Sequence, residues 1–152
     1  MKPTYLFFLL LLGKGKSTPP KLHAVDYTPR PVYMKIKITI EHTAVLATLF
    51  DNPTARDFAT LLPLRCRVDD LFGREKYGNL PRALSTNSKR QNTYHAGDIG
   101  YWSPGTDIAI YYKEDHETIP NPGIIIIGKI DSNVEAFELD GSAQLTIELN
   151  RP

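Results

Sequence analysis

From residue 35 to residue 149 the chain is broken into short runs of alternating apolar and polar residues, most of them closed by turn-forming residues. This pattern limits the fold more than any other feature. KIKITIE (35–41) places Ile36, Ile38 and Ile40 on one face, as a half-buried strand does. His42 and Thr43 turn the chain into AVLATLF (44–50), so the first two runs form a hairpin. LRCRVDD (64–70) alternates again, with Arg65, Arg67 and Asp69 outward and Cys66 in line with Leu64 and Val68. REKYGNL (74–80) alternates weakly and reads as an edge strand or loop. IGYWS (99–103) and DIAIYYK (107–113) flank Pro104-Gly105-Thr106, a strong turn signal. IIIIGKID (124–131) is a continuous apolar run, as expected of a strand buried on both faces, and AQLTIEL (143–149) closes the series. Seven or eight short strands at this spacing predict a barrel or sandwich, and closure into a barrel removes the exposed edges of a mostly antiparallel sheet.

One stretch differs. In TLFDNPTARDFATLLPL (48–64), Asn52 is a good helix N-cap and Pro53 falls at the first helical position, where its missing N–H is harmless. Ala55, Phe58, Ala59 and Leu62 form one apolar stripe, and Pro63 ends the run. A helix of about ten residues is marginal alone. Its stripe must therefore pack on something, and the simplest role is to plug an open barrel end. SNVEAFE (132–138) predicts one or two further helical turns, with Ser132 as cap. Residues 85–98 and 114–123 read as loops, the second of them acidic and solvated.

Composition supports a single domain over residues 34–150, since 41% hydrophobic residues suffice for a core without disulfides. The lone Cys66 cannot form an intrachain disulfide and reads as a small buried apolar side chain. Residues 1–33 form a distinct extension with five of the twelve prolines and a net charge of +4, leaving −3 on the remainder. The body is thus mildly acidic, which disfavours nucleic acid and anionic membranes as partners. YLFFLLLL (5–12) is too short to span a bilayer. The extension reads either as a weak export signal followed by a proline-rich linker, or as sequence upstream of a true start at Met34, which would place the protein in the cytoplasm. GKGKS (13–17) is not a phosphate loop, because the glycine required five residues before Gly15 is Leu10. The four histidines have no paired ligand spacing, no Gly-x-Ser-x-Gly elbow occurs, and the acidic clusters lack a calcium-loop pattern; no metal and no cofactor is expected.

Taken in order, TLFDNPTARDFATLLPL, GREKYGNLPRAL, GDIGYWSPGTDIAIYYK and IGKIDSNVEAF resemble the small bacterial cyclophilin-like proteins, whose domain also occurs fused to flavodoxin-like proteins. The resemblance covers about residues 34–150 and implies a mainly β fold, a closed eight-stranded barrel with one or two short capping helices. It departs from true cyclophilins where those carry catalysis. Phe-His-Arg and Gln-Gly-Gly segments are missing, the region reading DDLFGREKYGNLPRAL, and Ala109-Ile110-Tyr111-Tyr112 stands where Gln-Phe-Phe is expected. The arginine of that family acts on a rotation barrier of about 18–20 kcal/mol, and its help counts only if stronger in the twisted state.

No catalytic residues are therefore assigned. The expected function is binding of a small molecule or peptide in an aromatic-lined groove, with Glu75, Lys76, Arg82, Tyr101, Trp102 and Tyr112 as ligand-binding candidates. Tyr101, Trp102, Tyr111 and Tyr112 cluster across one hairpin, half of them facing in and half out. Two alternatives stand beside this: a divergent prolyl isomerase using Arg74 or Arg82, and an interaction module for a flavodoxin-like redox partner.

Overall fold

The computed structural model describes residues 33–151 together with Gly13 and Gly15, so the extension expected over residues 1–33 lies almost wholly outside the described residues. Eight strands close into a barrel: β1 (Met34–Ile40), β2 (Thr43–Leu49), β3 (Leu64–Leu71), β4 (Glu75–Asn79), β5 (Asp98–Trp102), β6 (Asp107–Tyr111), β7 (Ile125–Ile130) and β8 (Ala143–Leu149). Around the barrel the order is β1-β2-β7-β5-β6-β4-β3-β8, with every pair antiparallel. Every strand thus has two neighbours, and no edge is left to pair with another chain.

Alternation fills the interior. Ile36, Ile38 and Ile40 of β1, Val45, Ala47 and Leu49 of β2, and Leu145 and Ile147 of β8 belong to one buried cluster. In β7 the apolar run serves both faces. Ile125 and Ile127 join the barrel core, whereas Ile124, just before the strand, and Ile126 pack in a second cluster with Tyr94, Ala109, Tyr111, Ile119 and Trp102. That outer cluster approaches the sheet closely at Gly100, where an added Cβ would lie 2.5 Å from Cγ1 of Ile124.

Helix α1 (Pro53–Ala59) is shorter than the run of about ten residues expected from sequence. Its last turn continues through Leu62 on i→i+3 bonds, from Thr60, Leu61 and Leu62 back to Asp57, Phe58 and Ala59, the tighter geometry common at helix ends. Asn52 caps it as predicted, Oδ1 accepting from the Ala55 N–H at 2.8 Å, and Asn52 Nδ2 also donates to the Ile126 carbonyl of β7. Ala55 and Phe58 are fully buried in the barrel core, so the helix is a plug, as its stripe implied.

Two elements depart from expectation. β4 is no edge but sits between β3 and β6. Its pattern read weakly because its inward positions hold Lys76 and Gly78 instead of apolar residues. Ser132 does not cap the second helical turn. The 3₁₀ segment is Val134–Phe137, preceded by Asn133 in the left-handed region (φ 63°) with no side-chain cap. Cys66 is half-buried at the margin of the core, and burial raises its thiol pKa.

Candidate functional site

The β3–β4 turn shapes the outer face of the barrel. Arg74 N–H donates to the Leu71 carbonyl at 3.2 Å, and the two central residues, Phe72 and Gly73, have φ of 56° and 61°. Paired positive φ values match the right-handed twist of a hairpin. Glycine adopts them freely, but for an aromatic residue this backbone is costly and singles out a position for attention. Phe72 is 76% exposed, so burial does not offset that cost. The turn holds its ring 5.2 Å from the guanidinium carbon of Arg74.

Arg74 is the centre of a buried network. Its Nε donates to Glu75 Oε2 at 3.1 Å, and Nη1 donates to both oxygens of Asp115 at 3.2 and 3.1 Å. The same guanidinium lies 5.2 Å from the Tyr94 ring, which stacks on Tyr111 with centroids 4.2 Å apart. Tyr94 Oη donates to Asp115 Oδ1 and accepts from the Asp115 N–H at 3.0 Å. The acidic loop, expected to be merely solvated, is thereby strapped to the barrel at Asp115. A second clamp holds it at Ile119, whose N–H and carbonyl bond the backbone carbonyl and side chain of Asn92.

Between the strapped loop and the sheet lies a cleft of about 310 Å³, lined by Phe72, Arg74, Glu75, Tyr77, Trp102, Asp107, Ala109, Tyr111, Ile119 and Pro120 together with Leu71. Strand parity builds its floor: Glu75 and Tyr77 of β4, Trp102 of β5, and Asp107, Ala109 and Tyr111 of β6 all project outward. Burial raises the pKa of Glu75, opposed by the hydrogen bond from Arg74 and assisted by the negative fields of Asp115 and Asp70. Burial likewise raises that of Asp107, whose Oδ1 accepts from Asn79 Nδ2 at 2.6 Å.

The six candidates named from sequence occupy separate places. Glu75 and Trp102 share the cleft. Tyr101, adjacent to Trp102 and hence on the opposite face, lies in the barrel core with its Oη accepting from the Leu84 N–H at 3.1 Å. Lys76 and Tyr112 also turn away from the cleft and meet at Asp70, to which Nζ and Oη donate at 2.9 and 2.6 Å. Arg82 is exposed beside α1, donating to Asp57 at 2.8 Å and Thr60 at 2.7 Å. Sequence reading missed Phe72 and Asp107 as cleft residues and Asp115 as a strap. The Phe72-Gly73 pair at a hairpin turn was the one local signal of the first; Asp107 and Asp115 find their places only through tertiary contacts. Among the described residues no group of three or more His, Cys, Asp or Glu side chains is arranged to hold a metal, and no helix is long and apolar enough to cross a membrane.

The strap has a pH signature. Donation from Tyr94, the Glu117 N–H and Arg74 lowers the Asp115 pKa to about 2. A depressed carboxyl stabilises the fold fully above its unfolded value and loses that contribution as pH falls towards the folded one. Urea midpoints for the parent chain and Asp115→Asn are therefore expected to differ by a constant amount above about pH 5 and to converge as pH falls to about 2. A difference independent of pH would separate Asp115 from the strap.

A family model described as the Cyclophilin-like family matches residues 38–148. Among solved structures, the solution structure of the hypothetical protein AF2241 from Archaeoglobus fulgidus is similar, with a TM-score of 0.64 and 21% identity over 81% of this chain and 99% of that one. At that identity the likeness concerns the fold. No curated protein matches the sequence.

Proposed function

This chain belongs to the cyclophilin-like family, and from that premise we propose that its barrel is a non-catalytic domain binding a small ligand or peptide segment in the outer cleft. One observation carries the reading: a largely apolar cleft of about 310 Å³ on the closed sheet, with an indole, two phenols and a few convergent charged groups. Mostly apolar concavities with a few placed polar groups are the usual form of small-ligand sites. Arg74, which lines the cleft, supports the non-catalytic side of the reading. Carboxylates hold its Nε and Nη1, and its guanidinium lies close to two aromatic rings, so it is committed to the architecture. Arg82 is engaged with Asp57 and lines no part of the cleft.

Thermal-shift and NMR screening of the full chain against peptides, flavins and sugars tests the proposal, with Trp102 and Ala109 resonances as local reporters. A ligand that moves them supports it. A screen that leaves them unmoved, or ligands acting only elsewhere, would remove its basis. A protease-coupled assay on an Ala-Pro peptide is expected to show no rate above the uncatalysed exchange; acceleration abolished by Arg74→Ala would replace this reading with the isomerase.

A further inference from the structure

We infer that the outer cleft takes a small organic cation, an amine or guanidine on a compact apolar stem. The inference rests on the binding reading above and adds the charge of the ligand.

Charge comes first. Glu75 and Asp115 both pair with Arg74, and Asp107 lines the cleft without a cationic partner among the described residues, so carboxylates outnumber the one cation there. Arg74 binds only Oε2 of Glu75; Oε1 has no hydrogen-bond donor among the described residues, although the residue is only 6% exposed. Oε1 therefore has its acceptor capacity open to a ligand in the cleft, and a bound ammonium or guanidinium would give it a charge-assisted bond. A neutral apolar ligand would leave it unpaired, and an anion would meet the excess negative charge.

The walls agree with the floor. Indole, phenol and phenyl faces attract cations through their ring quadrupoles, and Trp102, Tyr77 and Phe72 offer all three. Phe72 is already 5.2 Å from one guanidinium, that of Arg74, and remains open on its other side at 76% exposure. Size completes the case. A volume of about 310 Å³ is at the low end for small-molecule sites, which suits a compact ligand.

Three near-isosteres decide the point on the unaltered full chain: benzamidine, benzamide and benzoate, which are cationic, neutral and anionic at pH 7. The chain has one tryptophan, so a single indole N–H resonance, that of Trp102, reports the cleft. Benzamidine is expected to shift it with an affinity about tenfold or more above benzamide, with benzoate inert, and Glu75→Gln to remove most of that preference. Glutamine retains an acceptor for Arg74 Nε, so the substitution changes charge with little change in shape. If benzamide or benzoate binds as tightly as benzamidine, the cation inference falls and the binding reading stands. If all three leave the resonance unmoved at millimolar concentration, the cation inference falls as well, and the binding reading is decided by the peptide, flavin and sugar screen.

Discussion

Replacing Lys76 with methionine is expected to destabilise the fold by about 3 kcal/mol, although the residue lines no part of the cleft. Lys76 is 0% exposed, and its ammonium spends its three protons on Asp70 Oδ1 at 2.9 Å, the Gly141 carbonyl at 3.1 Å and the Leu139 carbonyl. It thereby ties β4, β3 and the segment before β8 together at one end of the barrel. Methionine matches the stem in length and polarity but deletes all three bonds. Two carbonyls lose a partner, and Asp70 keeps only Tyr112 Oη and the Gly73 N–H. The acceptors are only partly buried, so the expected cost is the loss of three charge-assisted bonds and of the tie between the strands they join. Urea unfolding at pH 7 measures the effect. Asp70→Asn, which leaves the two carbonyl bonds in place, should cost distinctly less, and the double variant less than the sum of the two. A loss below about 1 kcal/mol for Lys76→Met would mean that desolvation of the ammonium cancels its bonds.

Lys76 also shows where sequence reasoning reached its limit. Alternation revealed most strands because their inward positions hold Ile, Leu and Val, and the core they form is the one expected. It failed at β4, where an ammonium satisfied by backbone carbonyls takes the place of an apolar side chain. Charge at an inward position looks like a broken strand until its partners, 63 and 65 residues away, are known. The grouping of Glu75 with Lys76, and of Tyr101 with Trp102, illustrates the same limit in another form. Neighbours in a strand face opposite sides, so one cleft can hold only one of each pair. Parity is readable once a single residue is anchored: Ile110 inward sends Tyr111 to the cleft and Tyr112 to the barrel interior. Arg82 and Asp115 depend on contacts 25 and 41 residues distant, with Asp57 and Arg74, and no local pattern encodes those.

Truncating Phe58 to alanine is expected to cost about 3–5 kcal/mol, the range for a large aromatic removed from a packed core. The ring is 0% exposed, on a helix of seven residues that has little stability of its own. Its position is fixed independently of the ring. Asn52 caps the first turn and reaches the β7 carbonyl of Ile126, Thr54 Oγ1 donates to the Ser85 carbonyl at 2.7 Å, and Asp57 accepts from the Ser85 N–H at 2.7 Å. Because these bonds hold the helix against the barrel, it cannot simply collapse into the space the ring leaves, and a cavity should persist. That places the expected loss towards the upper half of the range. The helix contributes no residue to the cleft, so benzamidine binding to Phe58→Ala, measured well below its lowered Tm, should match that of the parent chain. Lost stability with unchanged binding identifies α1 as a plug. A loss under about 1 kcal/mol would show that the interior closes without the ring. Weakened binding by a chain that remains folded would instead make the helix part of the site, coupled to the cleft through the strands between them.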